Sequence, residues 1–265
     1  LYTGWHPDTR GYLALGSLRC YLLKTKNYDD PQMPDSDLNQ ATSLSSQVSQ
    51  YLWEYISREK LRPGDDVLSE MQIGRDLGIS RTTVREAYRS LAAVGILEIG
   101  NGRRPRLMSM NSNVLAQVFG YALQTTQISY RQVMETRRSI EVQTAQLAAI
   151  RATDEQKLSL KSHIAAMRDA MDDHQRRVSA DLALHQELAE ASHNPVNRLL
   201  LDALQNPLME SLLVDLGSQR TLNDISRIID AHENIVNRIC DGDAVAAGNA
   251  MYSHFELSAS IGSPT

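Results

Sequence analysis

The chain has 265 residues and a mass of 29.6 kDa, a length that suits one large domain or two ordinary ones. Its 42% hydrophobic and 22% charged residues exclude global disorder, and a net charge of −5 with a pI near 5.8 gives no support for bulk binding of polyanions. Cys20 and Cys240 share no short spacing, so neither a disulfide framework nor a cysteine zinc module is indicated. No apolar run approaches the roughly 18 residues of a membrane span; the nearest candidate, 11–18, is short, is followed by Arg19 and lacks a convincing cleavage site. These features predict a cytoplasmic protein without membrane contact.

Residues 1–42 read as an N-terminal extension, disordered or atypical. The stretch from Asp29 to Asp37 is polar and punctuated by Pro31 and Pro34, with no apolar periodicity. Trp5, Tyr12, Leu13, Leu15, Tyr21 and Leu22 offer only a short amphipathic segment.

Residues 43–110 carry the spacing of a winged helix. Leu44, Val48, Leu52, Tyr55 and Ile56 recur at helical intervals and predict an amphipathic helix over 44–60. Pro63-Gly64-Asp65 turns the chain, and Ser69 caps a short second helix that stops at Gly78. Ser80 caps a third helix from Arg81 to about Val94, ended by Gly95. Only Gly78-Ile79-Ser80 separate the second and third helices, the glycine turn of a helix-turn-helix. Residues 96–99 then read as a strand, Gly100-Asn101-Gly102 as a hairpin turn and 103–108 as its return, with Pro105 placing that return at an edge.

Charge follows the same division. Residues 1–42 hold four basic and five acidic side chains, 43–110 ten and eight, and 111–265 thirteen and nineteen. Six arginines (81, 85, 89, 103, 104 and 106) face only Glu86 and Glu98 within 78–106. A local cationic patch on an acidic chain suits a dedicated anion surface, although a solvated helix face accounts for the charge equally well. At the start of a third helix that enters the major groove, Arg81, Thr82, Thr83 and Arg85 can reach bases and phosphates. Glycines in the wing let the backbone approach the sugar–phosphate chain, with Arg103 and Arg104 beside them; a solvated hairpin is the alternative.

Leu61-Arg62-Pro63-Gly64-Asp65, Leu68-Ser69-Glu70 and the run from Leu77 to Ala87 resemble the winged-helix domain of the GntR family. The resemblance implies operator contact by Ser80, Arg81, Thr82, Thr83 and Arg85, with Asn101, Gly102 and the neighbouring Arg103 from the wing. The family usually has proline where Leu68 stands and arginine, often a DNA contact, where Met71 stands. Met71 therefore puts the family's usual half-site in question, and Arg103-Arg104 are the candidate compensation.

From Val114 onward no alternating pattern persists. Helical stretches are predicted at about 113–125, 129–151, 154–173, 176–193, 195–216, 221–241 and 243–259, with breaks at Thr153-Asp154, Asn194-Pro195, Gly217-Ser218 and Asp241-Gly242-Asp243. The fold class expected is mainly α: an N-terminal winged helix-turn-helix domain over 43–110 and a C-terminal all-α helical bundle over 111–265.

Asp181 and His185 are four apart and share one helix face. His232 lies eleven residues before Asp243 and His254 eleven after it. An antiparallel helix pair turning there returns both rings to one height, about 16 Å from the turn. One carboxylate and three imidazoles in a bundle suit a divalent ion, zinc or nickel foremost, with positions left open for a ligand. Each histidine taken singly reads as surface or core decoration, and His163, His174 and His193 stay in that class.

The segment from Asp181 to Pro195, with Ala231-His232-Glu233-Asn234-Ile235 and Met251-Tyr252-Ser253-His254, resembles the effector domain of the FadR subfamily, the FCD domain; 135–153 matches its opening helix. In metal-binding members an aspartate and three histidines at these positions hold the ion, and a small carboxylate completes its coordination. Arg137 stands where the family commonly faces that pocket, and a guanidinium can pair with a carboxylate as a fork. The alternative for Arg137 is a pair with Glu141 one helical turn on. Arg138 reads as structural or solvated.

The function implied is a ligand-responsive transcription regulator, a repressor as most relatives are, acting as a homodimer on double-stranded operator DNA, with a small carboxylate effector and a divalent metal. The alternatives are a metal-dependent hydrolase with a DNA-binding head, since such a centre can activate water, and a protein for which the metal is itself the signal or structural cement.

Overall fold

The structure is a computed structural model that describes the backbone of residues 36–100, 102–214 and 221–262, with side chains over 44–100, 102–205 and 221–261. The expectations for residues 1–35, for Asn101 and for the break near Gly217 lie outside the described residues. The first helix, α1 (Ser36–Glu59), begins within the stretch read as an extension. After it come α2 (Glu70–Leu77), α3 (Arg81–Ala93), β1 (Leu97–Glu98), β2 (Arg106–Leu107), α4 (Asn113–Gln124), α5 (Tyr130–Arg151), α6 (Asp154–Asp169), α7 (His174–Ala191), α8 (Pro195–Val214), α9 (Leu222–Cys240) and α10 (Ala244–Gly262). The fold is mainly α, a winged helix-turn-helix followed by an all-helical bundle.

In the winged helix, Val48 and Leu52 of α1 pack on Val67, Ile73, Val84, Ala87, Tyr88, Leu91 and Leu97. Tyr88 is fully buried and donates its hydroxyl to the Leu68 carbonyl at 2.6 Å, so its polar end is satisfied inside the core. Ser69 and Gln72 form a capping box at the start of α2. Gly78 ends α2 at φ +65°, a left-handed conformation that a side chain disfavours. Ser80 Oγ then accepts from the Thr83 amide at 3.2 Å and starts α3.

The wing differs from the sequence reading at Pro105. Leu97 pairs with Leu107 and Glu98 with Arg106, antiparallel. On its other side β2 is bonded by the segment around Asp66: Leu107 N donates to Asp65 O at 2.9 Å, and Val67 N to Pro105 O at 2.8 Å. The return strand is therefore interior, not an edge. Pro105 is tolerated because its carbonyl is used and its missing N–H falls where the ladder ends.

Four helices of the bundle, α5, α6, α7 and α9, start with side-chain caps. Ser129 with Gln132, Thr153 with Gln156 and Thr221 with Asp224 form capping boxes, and Asp173 caps α7. α6 ends four residues earlier than expected and α7 begins two earlier, at His174. α5 is the hub: α7, α8, α9 and α10 all lie against it. Its buried small face (Ala145, Ala148, Ala149) admits Leu184 and Leu188 of α7, Ile229, Ile235 and Ile239 of α9, and Met251 and Phe255 of α10. Gly242, at φ +75°, makes the turn that sends α10 back along α9. No described helix is long and apolar enough to cross a membrane.

Candidate metal centre and nucleic-acid interface

The capped start of α3 is exposed. Arg81 and Thr82 face outward, while Ser80 Oγ and Thr83 Oγ1 lie 2.9 Å apart within the cap. The six arginines are not equivalent. Arg85 Nε donates to Glu70 Oε2 at 3.2 Å, Arg89 pairs with Glu86 at 3.1 Å, and Arg106 with Asp66 at 3.1 Å. Arg81, Arg103 and Arg104 make no ion pair among the described residues, and with the exposed Gly102, at φ +71°, they form the unneutralised part of this surface. Met71 stands 49% exposed beside Glu70 on the first turn of α2.

In the bundle three of the four expected ligands, His185, His232 and His254, converge, and the fourth, Asp181, meets that cluster at His232. The buried face of α9 reads Ile225, Ile228, Ile229, His232, Ile235, Val236, Ile239, so His232 occupies a core position in a stripe of β-branched residues. His185 holds the equivalent place between Leu184 and Leu188 on α7, and His254 beside Phe255 on α10. One ligand atom from each of the three rings lies within 4.8 Å of the others. The Nε2 atoms of His185 and His232 are 3.3 Å apart, and Asp181 Oδ1 is 3.2 Å from His232 Nε2. All three rings are buried, whereas the Asp181 side chain is 34% exposed and marks the accessible side. His163, His174 and His193 stay apart; His174 meets Arg177, and His193 meets Gln156 at 3.1 Å.

Nitrogen atoms bound at about 2.0–2.1 Å around a tetrahedral zinc sit roughly 3.3–3.4 Å from one another. The separation of the two Nε2 atoms falls at this value, and a buried set of three imidazoles and one carboxylate is the donor chemistry of zinc or nickel. The residues fit the group.

Glu141 is the residue that sequence reasoning passed over. It entered only as an alternative partner for Arg137, and that pair is formed: Arg137 Nε and Nη2 reach Glu141 Oε1 at 2.9 and 2.7 Å, both side chains buried. The other oxygen, Oε2, is hydrogen-bonded to Nδ1 of His185. The spacing of 137 and 141 signals the pair, but the contact from α5 to α7 has no local signature. Arg137 also lies 6.0 Å from the Phe255 ring centroid, and Arg138 pairs with Glu256 over the Tyr252 ring.

Electrostatics follow from burial and these partners. Burial would lift the Glu141 carboxyl, but Arg137 and His185 outweigh it and hold it at about 2, so it is ionised. Burial disfavours charge on His185, yet the Glu141 carboxylate more than offsets this and raises the ring above its ordinary value. Burial lowers His232 to about 4 against the pull of Asp181, so that ring is neutral near pH 7.

Comparison with known proteins agrees with both halves. Residues 44–106 match the bacterial regulatory proteins of the gntR family, and 132–257 match the FCD domain. The chain belongs to the GntR family, with an FCD effector domain. Among relatives of this GntR-family protein, the HTH-type transcriptional regulator LutR of Bacillus subtilis is 29% identical, covering 75% of this chain and 92% of its own. The HTH-type transcriptional repressor NanR of Salmonella newport is 26% identical over 80% of this chain and 82% of its own. A solved Streptococcus agalactiae GntR structure superposes with a TM-score of 0.60 at 26% identity, covering 81% of this chain and 98% of the other. The GntR-family chain is thus a DNA-binding transcriptional regulator, and its relatives are regulators rather than hydrolases.

Proposed function

We propose that this regulator reads operator DNA as a homodimer in the cytoplasm and responds to a small organic acid bound at a divalent metal centre. The observation that carries the reading is the convergence of His185, His232 and His254 in the bundle interior, with the partly exposed Asp181 against His232. Three buried imidazoles in a helical core have no packing advantage over the apolar residues around them, and a shared cation accounts for all of them at once.

The division of labour follows from the contacts. Asp181, His185, His232 and His254 hold zinc or nickel, which when bound supplies open positions for carboxylate oxygens. Arg137 uses Nε and Nη2 on Glu141 and one N–H of Nη1 on Met134 Sδ, which leaves the second N–H of Nη1 for the acid. Ser80, Arg81, Thr82, Thr83 and Arg85 at the start of α3, with Asn101, Gly102 and Arg103 of the wing, address the operator. Acid binding favours one arrangement of the effector domains, and so one spacing of the two heads. Coupling of about 1–3 kcal/mol changes operator affinity by roughly 5–150-fold. Repression is the direction that the relative named as a transcriptional repressor favours, and relief of it by the acid completes this reading.

The test combines metal analysis with thermal shifts against a panel of small carboxylic acids, for the wild type and His232→Ala. The expected result is one equivalent of metal and an acid-dependent rise in melting temperature, both lost in the variant. Metal without any acid response points to metal sensing or a structural ion; acid shifts that survive His232→Ala overturn the site.

A further inference from the structure

We propose that Glu141 is the positioning residue of the metal centre: its carboxylate, held by Arg137, fixes the tautomer and ring orientation of His185 so that Nε2 is presented to the ion. The inference rests on the metal reading above and adds a residue outside the four ligands.

Glu141 is 1% exposed and divides its oxygens, Oε1 to Arg137 and Oε2 to His185 Nδ1. An ionised carboxylate only accepts hydrogen bonds, so Nδ1 of His185 is the donor. The neutral ring then carries its lone pair on Nε2, the atom that lies 3.3 Å from His232 Nε2. The same bond sets the rotation of the ring, since turning it would leave Oε2 buried without that partner. A hydrogen-bonded carboxylate behind a metal-binding imidazole orients the ring and raises its basicity.

Arg137 makes this arrangement tenable. A lone carboxylate in the bundle core would be strongly unfavourable, and two bonds from Arg137 to Oε1 both compensate its charge and stop it rotating. The pair is neutral as a unit, which leaves Asp181 as the ligand whose negative charge faces the cation.

The test measures zinc affinity of the full-length, chelator-stripped protein by competition with a chromophoric chelator. Glu141→Gln keeps shape and an acceptor but removes the charge; the double variant Arg137→Met/Glu141→Gln removes both charges and preserves the balance. Zinc affinity is expected to fall about 10–100-fold in both, the usual effect of losing such a partner. Nitrogen-15 histidine spectra of the zinc-loaded wild type are expected to show a proton on Nδ1 of His185, a signature that a purely packing role for Glu141 does not require. Zinc affinity within twofold of the wild type in the folded double variant, or an unprotonated His185 Nδ1 in the loaded wild type, overturns the proposal. The wild-type spectrum decides the matter even where the variants do not fold. A wild type that takes up no zinc overturns the metal reading itself, and the role of Glu141 with it.

Discussion

Arg85 on α3 is tied to Glu70 on α2 by a 3.2 Å bond from Nε to Oε2, with the guanidinium 56% exposed. An exposed ion pair adds little to stability, about 0–1 kcal/mol, so its effect lies in aiming the remaining Arg85 N–H groups and in withholding part of its charge from phosphate. Arg85→Ala is expected to weaken operator binding by roughly 1–3 kcal/mol, the value of one good base contact. Glu70→Gln is expected to do the reverse for unrelated DNA, raising non-specific affinity while narrowing the specificity ratio. Fluorescence anisotropy on operator and scrambled duplexes at fixed salt separates the two; an unchanged ratio in Glu70→Gln removes the aiming role.

The unequal pairing of the six arginines gives a second expectation. Each phosphate contact contributes about 0.9 to the slope of log affinity against log salt. Arg103→Ala or Arg104→Ala should lower the slope by about that amount if each meets one phosphate. Arg106, occupied by Asp66 at 3.1 Å, should leave it unchanged when replaced. Slopes equal to that of the wild type in all three variants would mean that the wing does not touch the duplex.

Much of this was legible beforehand, for identifiable reasons. Caps, glycine stops and apolar periodicity are local, and Ser69, Gly78, Ser80 and Gly242 mark helix ends where they were expected. The His232–His254 match was legible because a helical hairpin preserves residue counts on either side of its turn. Glu70 with Arg85, Asp66 with Arg106 and Glu141 with His185 were not, because each joins separate elements whose packing has no periodic trace. Pro105 misled because a proline signals a missing donor, but not whether its carbonyl is still wanted.

Gly242 makes the turn that returns α10, and with it His254, along α9. Its φ of +75° is open to glycine, while a Cβ there would meet nothing closer than the Ala149 carbonyl at 3.8 Å, so a methyl group is opposed by backbone strain rather than by crowding. Gly242→Ala should therefore cost about 1–2 kcal/mol, seen as a melting temperature lower by roughly 2–4 °C per kcal/mol. Metal affinity should fall in parallel if the strain is relieved by shifting α10, which carries His254. A melting temperature equal to the wild type would show that the turn adopts another conformation without penalty.

Proton linkage in the metal-free protein has a sign that three groups set differently. His232 is lowered from 6.5 to about 4 by burial, so the unfolded chain takes up its proton first as the pH falls. Its contribution is complete above 6.5 and shrinks toward 4. His185 is raised, so its contribution is complete below 6.5 and lost only as pH climbs through its folded value. Glu141, held at about 2, keeps its contribution above 4.5 and loses it only under strong acid. Between pH 6.5 and 4.5 His232 is thus the group of the three that titrates unfavourably. The melting temperature of the chelator-stripped protein should fall across that window, and His232→Leu, which has no ring to protonate, should flatten the profile. A wild-type profile that is level or rising with acid would mean that burial does not hold the His232 ring neutral in the folded bundle.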